Sequence, residues 1–228
     1  MHRGARRELR GTHDGARDPG AGVWSPDGRG ASYGARVGLE RRTGRLVMRQ
    51  WTEADLEPFA RMNADPEVME HFPAPLTREQ SDALATRAQA GLEQNGWGLW
   101  ALEVDGTFAG FTGLSRPSWN RDLVEVGWRL PRWAWGHGYA SEAAREALRV
   151  GFDEAGLDEI VSFTAVLNVR SQAVMRRIGM TRDPADDFDH PSVPHGHRLE
   201  RHVLYRIARP AVSGGQATAG RLARQRDN

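Results

Sequence analysis

From residue 45 onward the chain switches between two apolar rhythms. "RLVMRQW" (45–51) reads as a strand. "TEAD" (52–55) sets Thr52 three residues before Asp55, the spacing of a capping box, and predicts a helix to about Asn63. "TREQ" (77–80) repeats the device with Thr77 and Gln80. The helix it opens carries Leu84, Ala85, Ala88 and Leu92 at helical spacing and stops at Gly96. Two apolar runs, "WGLWALEV" (97–104) and "TFAGFTGLSR" (107–116), flank Asp105–Gly106, which is a hairpin signal. "LVEVGWRL" (123–130) is a further strand. "SEAAREALRVGFDEAG" (141–156) then places Ala144, Ala147, Leu148, Gly151, Phe152 and Ala155 on one helical stripe. The β-branched run "EIVSFTAV" (159–166) reads as a buried strand. "SQAVMRRIG" (171–179) is a short helix closed by Gly179, with a minor strand near Met180–Arg182. A His/Pro-rich loop (about 183–198) precedes the last strand, "RHVLYRIA" (201–208). The order β-α-α-β-β-β-α-β-α-β predicts a mixed α/β sheet. Strands 123–130 and 159–166 run parallel in it, joined by a right-handed crossover.

Composition divides the chain. Residues 1–45 are rich in Gly, Arg and Asp, without apolar periodicity, and carry ten Arg against five acids. They are expected to be a disordered Arg/Gly-rich extension, with Val37 and Met48 as alternative starts. Residues 46–209 form the folded domain, and residues 210–228 a basic disordered tail of three Arg against one Asp. The body between the tails has a net charge of −6. A nucleic-acid-binding arm is the competing reading of the extension, but its basic residues are scattered among acids. No cysteine is present, which excludes a disulfide scaffold, a thiolate metal site and a cysteine nucleophile. No apolar run reaches the ~18 residues of a membrane span, and the start lacks the apolar core of a secretory signal. The expectation is a cytoplasmic protein.

"PRWAWGHGYASEAA" (131–144) places Gly136 and Gly138 just before a helix. A P-loop is excluded because the chain has no lysine. The dinucleotide fingerprint fails because Ser141 stands where its third glycine belongs. Two readings stay open on physics alone. The turn is an ordinary tight turn, or it is an anion cradle in which free first-turn amides and the helix dipole hold a negative group.

"EVGWRLPRWAWGHGYASEAAREAL" (125–148) resembles the acetyl-CoA motif of the GNAT acyltransferase superfamily. Trp135-Gly136-His137-Gly138-Tyr139-Ala140 takes the place of that family's Gln/Arg-x-x-Gly-x-Gly/Ala. "NVRSQAVMRRIGM" (168–180) and "RLVMRQWTEADLEPFARMNADPEVMEHF" (45–72) resemble further motifs of the branch that acetylates ribosomal-protein N-termini. The resemblance covers about residues 45–209. It implies a GNAT fold: a mostly antiparallel sheet with a splayed parallel strand pair and helices on both faces. It implies direct acetyl transfer from acetyl-CoA to a primary amine, on a small molecule such as an antibiotic or polyamine or at a protein N-terminus, with no metal. It implies that the backbone around Trp128, Arg129 and Leu130 pairs with the pantetheine arm. Around Trp135, Gly136, His137, Gly138, Tyr139, Ala140 and Ser141, backbone amides hold the pyrophosphate, and Asn168 holds the arm near the thioester. A homodimer is common in the branch.

Glu125 is the candidate base, since a carboxylate within an apolar strand gains a raised pKa. An ion pair with Arg129, which would lower it, is the alternative. Glu70 and His71 are weaker candidates. Ser171 is the candidate donor to the leaving thiolate, the alternative being a helix cap. The helix carries no tyrosine, although many relatives in the superfamily use one as the acid. His190, His195 and His197 lack metal-site spacing and are read as a flexible loop over the acceptor pocket. His137 is read as solvent-facing. Trp97, Trp100, Trp119, Trp128, Trp133 and Trp135 are read mostly as core or cleft lining. A non-catalytic acyl-CoA sensor is the alternative to an enzyme.

Overall fold

The computed structural model describes residues 39–210. The predicted tail at 211–228 and residues 1–38 of the predicted extension lie outside the described residues. A nine-stranded sheet carries four α-helices. β1 (Arg41–Arg42) and β2 (Val47–Arg49) precede α1 (Glu53–Ala64) and α2 (Arg78–Asn95). β3 (Leu99–Val104), β4 (Thr107–Ser115) and β5 (Glu125–Arg129) follow, then α3 (Tyr139–Arg149) and β6 (Glu159–Ala165). α4 (Val169–Arg177), β7 (Thr181–Arg182), β8 (Phe188–Asp189) and β9 (Arg201–Ala208) complete the elements of the described residues. The strand order is β1-β2-β3-β4-β5-β6-β9-β7, with β8 on β9.

The punctuation works as its chemistry predicts. Thr77 and Gln80 cap α2 reciprocally, at 2.9 and 3.3 Å, and Gly96 ends it in the left-handed region. Asp105 and Gly106 both have positive φ, 48° and 77°, as a tight hairpin between β3 and β4 requires. Phe111 of β4 packs on Phe59 of α1 on one face of the sheet. On the other face, a Cβ on Gly151 would come within 2.6 Å of Ile160 and 3.0 Å of Leu114. That glycine lets the helical segment lie flush on the sheet.

Three features depart from the sequence reading. The sheet begins at Arg41 rather than at residue 45. The edge is held from inside, since the buried Trp100 indole donates to the Leu39 carbonyl at 2.8 Å. The long helix at 141–156 is α-helical only to Arg149, then widens into a π-turn over Val150–Glu154. The His/Pro-rich segment contains β8, paired to β9 through Phe188 and His202.

β5 and β6 are the parallel pair, registered only at Glu125 and Val161. The Val161 amide donates to the Val124 carbonyl at 2.9 Å, and beyond that point the strands diverge. On its other side β5 stays paired with β4 from Glu125 to Arg129. Backbone groups of neighbouring strand residues point to opposite edges. Val126, Trp128 and Leu130 therefore turn their amides and carbonyls toward the gap.

Candidate active site

The gap opens into a cleft of about 1510 Å³, and every residue that the sequence proposes for catalysis or cofactor binding lines it. At one end lies the glycine turn. Gly136 and Gly138 have φ of 80° and 83°, and no atom lies within 4 Å of where a Cβ on Gly136 would stand. Gly138 is the N-cap of α3, and no side chain caps the helix there. Its first amides therefore face the cleft side without a protein partner. The His137 side chain is exposed and stacks on Tyr139 at 5.3 Å, which leaves only its backbone for the turn.

The turn is fastened from behind by Glu142, in the first turn of α3, and by Thr43 and Arg45, which the sequence reading did not single out. Glu142 accepts hydrogen bonds from Thr43 Oγ1 (2.6 Å), the Arg45 amide (2.8 Å) and Arg45 Nε (2.8 Å). Burial raises the Glu142 pKa, but these donors outweigh it and hold the group below its usual range. Arg45 Nη1 also donates to the His137 carbonyl at 2.8 Å. Trp135 is anchored by its indole on the Leu130 carbonyl (2.8 Å), so that carbonyl is already engaged. Arg170 lies over the Trp135 ring at 4.7 Å.

Where the strands part, Trp128 Nε1 donates to Ser171 Oγ at 3.1 Å. Ser171 does not cap its helix. Asn168 does, its Oδ1 accepting from the Ser171 amide at 3.1 Å, while its Nδ2 donates to Thr164 Oγ1 at 3.0 Å. The helix begins at Val169, two residues before the expected start. With the indole on its oxygen, the Ser171 hydroxyl keeps its own proton free to donate into the cleft.

Glu125 sits on the opposite face of β5 from Trp128. It makes no ion pair with Arg129 and no hydrogen bond among the described residues. Burial alone pushes its carboxyl up to about 8. The alternative of a Glu125–Arg129 pair is therefore not formed. Arg129 turns instead to Asn63 Oδ1 (2.6 Å) and to the Phe72 ring (4.1 Å), and burial pushes its guanidinium down to about 10.

The far wall is aromatic. Trp119 packs against Phe163 and His190, and His190 lies 4.7 Å from His202. Burial lowers both histidines, His190 to about 4, so they are neutral at physiological pH. Of the three loop histidines, His190 joins this wall, whereas His195 is exposed and pairs with Glu200. Among the described residues no cluster suited to a metal ion occurs. Arg198 donates to the Glu70 carbonyl at 2.7 Å and so ties the segment to the α1–α2 connection. Glu70 and His71 border the cleft there, with burial lowering the His71 pKa. Trp97, Trp119, Trp128 and Trp135 line the cleft and Trp100 is core, while Trp133 is half exposed.

The geometry has counterparts in known proteins. Residues 45–181 match the family model described as an acetyltransferase (GNAT) domain. The chain is 32% identical over 177 residues to FsC-acetyl coenzyme A-N(2)-transacetylase of Aspergillus fumigatus, covering 73% of this chain and 75% of that one. An acetyltransferase (GNAT family) from Bacillus anthracis superposes with a TM-score of 0.62 at 25% identity, covering 75% of this chain and 98% of its own. Spermidine N-acetyltransferase from Vibrio cholerae, solved with CoA and spermine, shares the fold. Its TM-score is 0.58 at 19% identity, and the match covers 73% of this chain and 97% of that one. With this fold and these matches, the chain belongs to the GNAT acetyltransferase family.

Proposed function

We propose that this acetyltransferase moves the acetyl group of acetyl-CoA directly to a primary amine, an α-amine such as that of a protein N-terminus. The observation that carries the reading is Glu125, a half-buried carboxylate in the cleft with no hydrogen-bond partner among the described residues, held at about 8 where the sheet opens. The α-ammonium of a peptide has a pKa near 8 and a lysine-type ammonium one near 10.4. Proton transfer to Glu125 is therefore close to balanced for the first and uphill by about two units for the second.

The cleft fits the donor. The uncapped amides at Tyr139–Ser141 and the open space over Gly136 suit a pyrophosphate. The gap-facing backbone of Trp128 suits the amides of a pantetheine arm. Bound acetyl-CoA supplies the acetyl group as a thioester. Glu125 accepts the proton released by the amine, directly or through water. Ser171, its oxygen held by the Trp128 indole, presents its O–H to the departing sulfur. The absence of cysteine fits transfer without a thiol-linked enzyme intermediate.

A second reading takes a small-molecule amine. The Vibrio neighbour was solved with spermine, and the −6 body favours approach of a cation. Thiol release from acetyl-CoA, followed over N-terminal peptides, polyamines and aminoglycosides, separates the readings. Peptides are expected to give the highest kcat/KM. Tight CoA binding with no turnover on any amine would sink both readings in favour of a sensor.

A further inference from the structure

Arg129 is a half-buried cation that forms no ion pair among the described residues. Its Nη1 is used by Asn63, whose amide in turn donates to Ser81 Oγ at 2.8 Å. Its Nε is buried and has no hydrogen-bond partner. No hydrogen bond to Nη2 is formed among the described residues, and no carboxylate stands within ion-pair range. Phe72 and Phe111 flank the guanidinium at 4.1 and 5.6 Å. Nε is closed off, so Nη2 is the donor left open to the cleft, and a guanidinium donor of this kind takes a carboxylate with a charge-assisted bond. An ionised group in such surroundings is costly unless something pairs with it.

Glu125 and Arg129 lie on the same face of β5, with Gly127 between them. The Glu125 Oε1 comes within 3.7 Å of where a Cβ on Gly127 would be. Its carboxylate therefore overhangs the glycine, one two-residue step, about 7 Å, from the position of Arg129. Gly127 leaves a bare floor between a group that takes a proton from an amine and a group that lacks an anion.

We propose that the acceptor carries a carboxylate on the same residue as its α-amine, the amine meeting Glu125 and the carboxylate meeting Nη2 of Arg129. This rests on the amine-acetyltransferase reading above and narrows its substrate class. Two sources share the chemistry: a free amino acid, and a peptide whose first residue is acidic.

The test uses matched acceptors with the full chain and acetyl-CoA. Phenylalanine is compared with phenethylamine, and a peptide starting with Asp with the same peptide starting with Asn. The acid member of at least one pair is expected to lead in kcat/KM by roughly 10- to 100-fold, the range of a charge-assisted hydrogen bond. The pair that shows the preference identifies the source. Arg129→Met should collapse that ratio toward one, and Arg129→Lys should keep part of it because the charge stays while the guanidinium is lost. A purely structural Arg129, acting through Asn63 and Ser81, would lower the melting temperature without moving the ratio.

Calorimetric binding of the N-acetylated products in the presence of CoA supplies a readout free of turnover. The same order of preference, lost in Arg129→Met, supports the proposal even if no amine is acetylated, in which case the enzymatic reading fails alone. Turnover with no preference in either pair, or a preference that survives in a folded Arg129→Met, overturns the proposal and leaves the enzymatic reading standing.

Discussion

The two ends of the cleft are built by different means. The end at the glycine turn is made of main chain: amides of α3, glycines at positive φ, and the unpaired edge of β5. Side chains serve it only from behind, through Thr43, Arg45 and Glu142. The end beyond Glu125 is made of side chains. Glu70, His71, Phe72, Trp119, Phe163 and His190 reach it from four separate stretches of chain. On the reading proposed above, the backbone end takes the acetyl donor and the side-chain end takes the acceptor.

The predictions sharpen or break that division. The largest effect belongs to Glu125→Gln, which should lower kcat by roughly 100- to 10,000-fold with the KM for acetyl-CoA nearly unmoved. With a lysine-type amine as acceptor, whose own limb lies near 10.4, the rate should also rise with pH through an apparent pKa near 8, a limb absent from the variant. Stability moves the other way. Between about 4.5 and 8 the native state holds a proton on Glu125 that the unfolded chain has released. Native stability therefore falls as pH rises through that window. Melting curves should show this decline in the wild type and a flatter one in Glu125→Gln. Equal slopes would remove the Glu125 carboxylate from the account.

Gly138→Ala comes next. At φ 83° a side chain costs roughly 1–2 kcal/mol, and the new Cβ would lie 3.5 Å from Arg45 Nη2. The KM for acetyl-CoA should rise about 10-fold with the acceptor KM unchanged. A matching rise in acceptor KM would show that the ends are coupled.

Ser171→Ala should lower kcat by about 3- to 10-fold, as loss of one neutral hydrogen bond predicts, without altering either KM. Trp128→Phe removes the indole donor alone and should cost less. Full rate in both variants would assign the pair to structure.

Arg45→Ala is the smallest. Its pairing with Glu142 is half exposed and contributes no more than about 1 kcal/mol. A drop of a few degrees in melting temperature is expected, and it should shrink when CoA is added.

What could be read from sequence follows the same division. The glycine turn, the Asp105–Gly106 hairpin and the α2 capping box are each specified within a few neighbouring residues, so their chemistry stands in the sequence. β1 is two arginines in a glycine-rich stretch. Its place comes from Trp100, 61 residues away, holding the Leu39 carbonyl. The cap of α4 falls on Asn168 rather than Ser171 because the serine hydroxyl is claimed by Trp128, a partner 43 residues distant. His190 turns inward only because β8 pairs with β9. The direction of the Glu125 shift depended on whether Arg129 would reach it, and Asn63, 66 residues from Arg129, holds that guanidinium elsewhere.

The splay between β5 and β6 has one more consequence. Unpaired strand backbone normally occurs at the rim of a sheet, where it invites other chains to add on. Here a sheet edge lies in the middle of the molecule, its Trp128 backbone groups facing the gap between β5 and β6 rather than the outer rim. Aggregation through it is blocked by placement rather than by charge or proline. A ligand that enters the gap with amides of its own completes the sheet as an absent strand would. Occupancy of the gap should therefore raise the free energy of unfolding, because the unfolded chain offers no such slot.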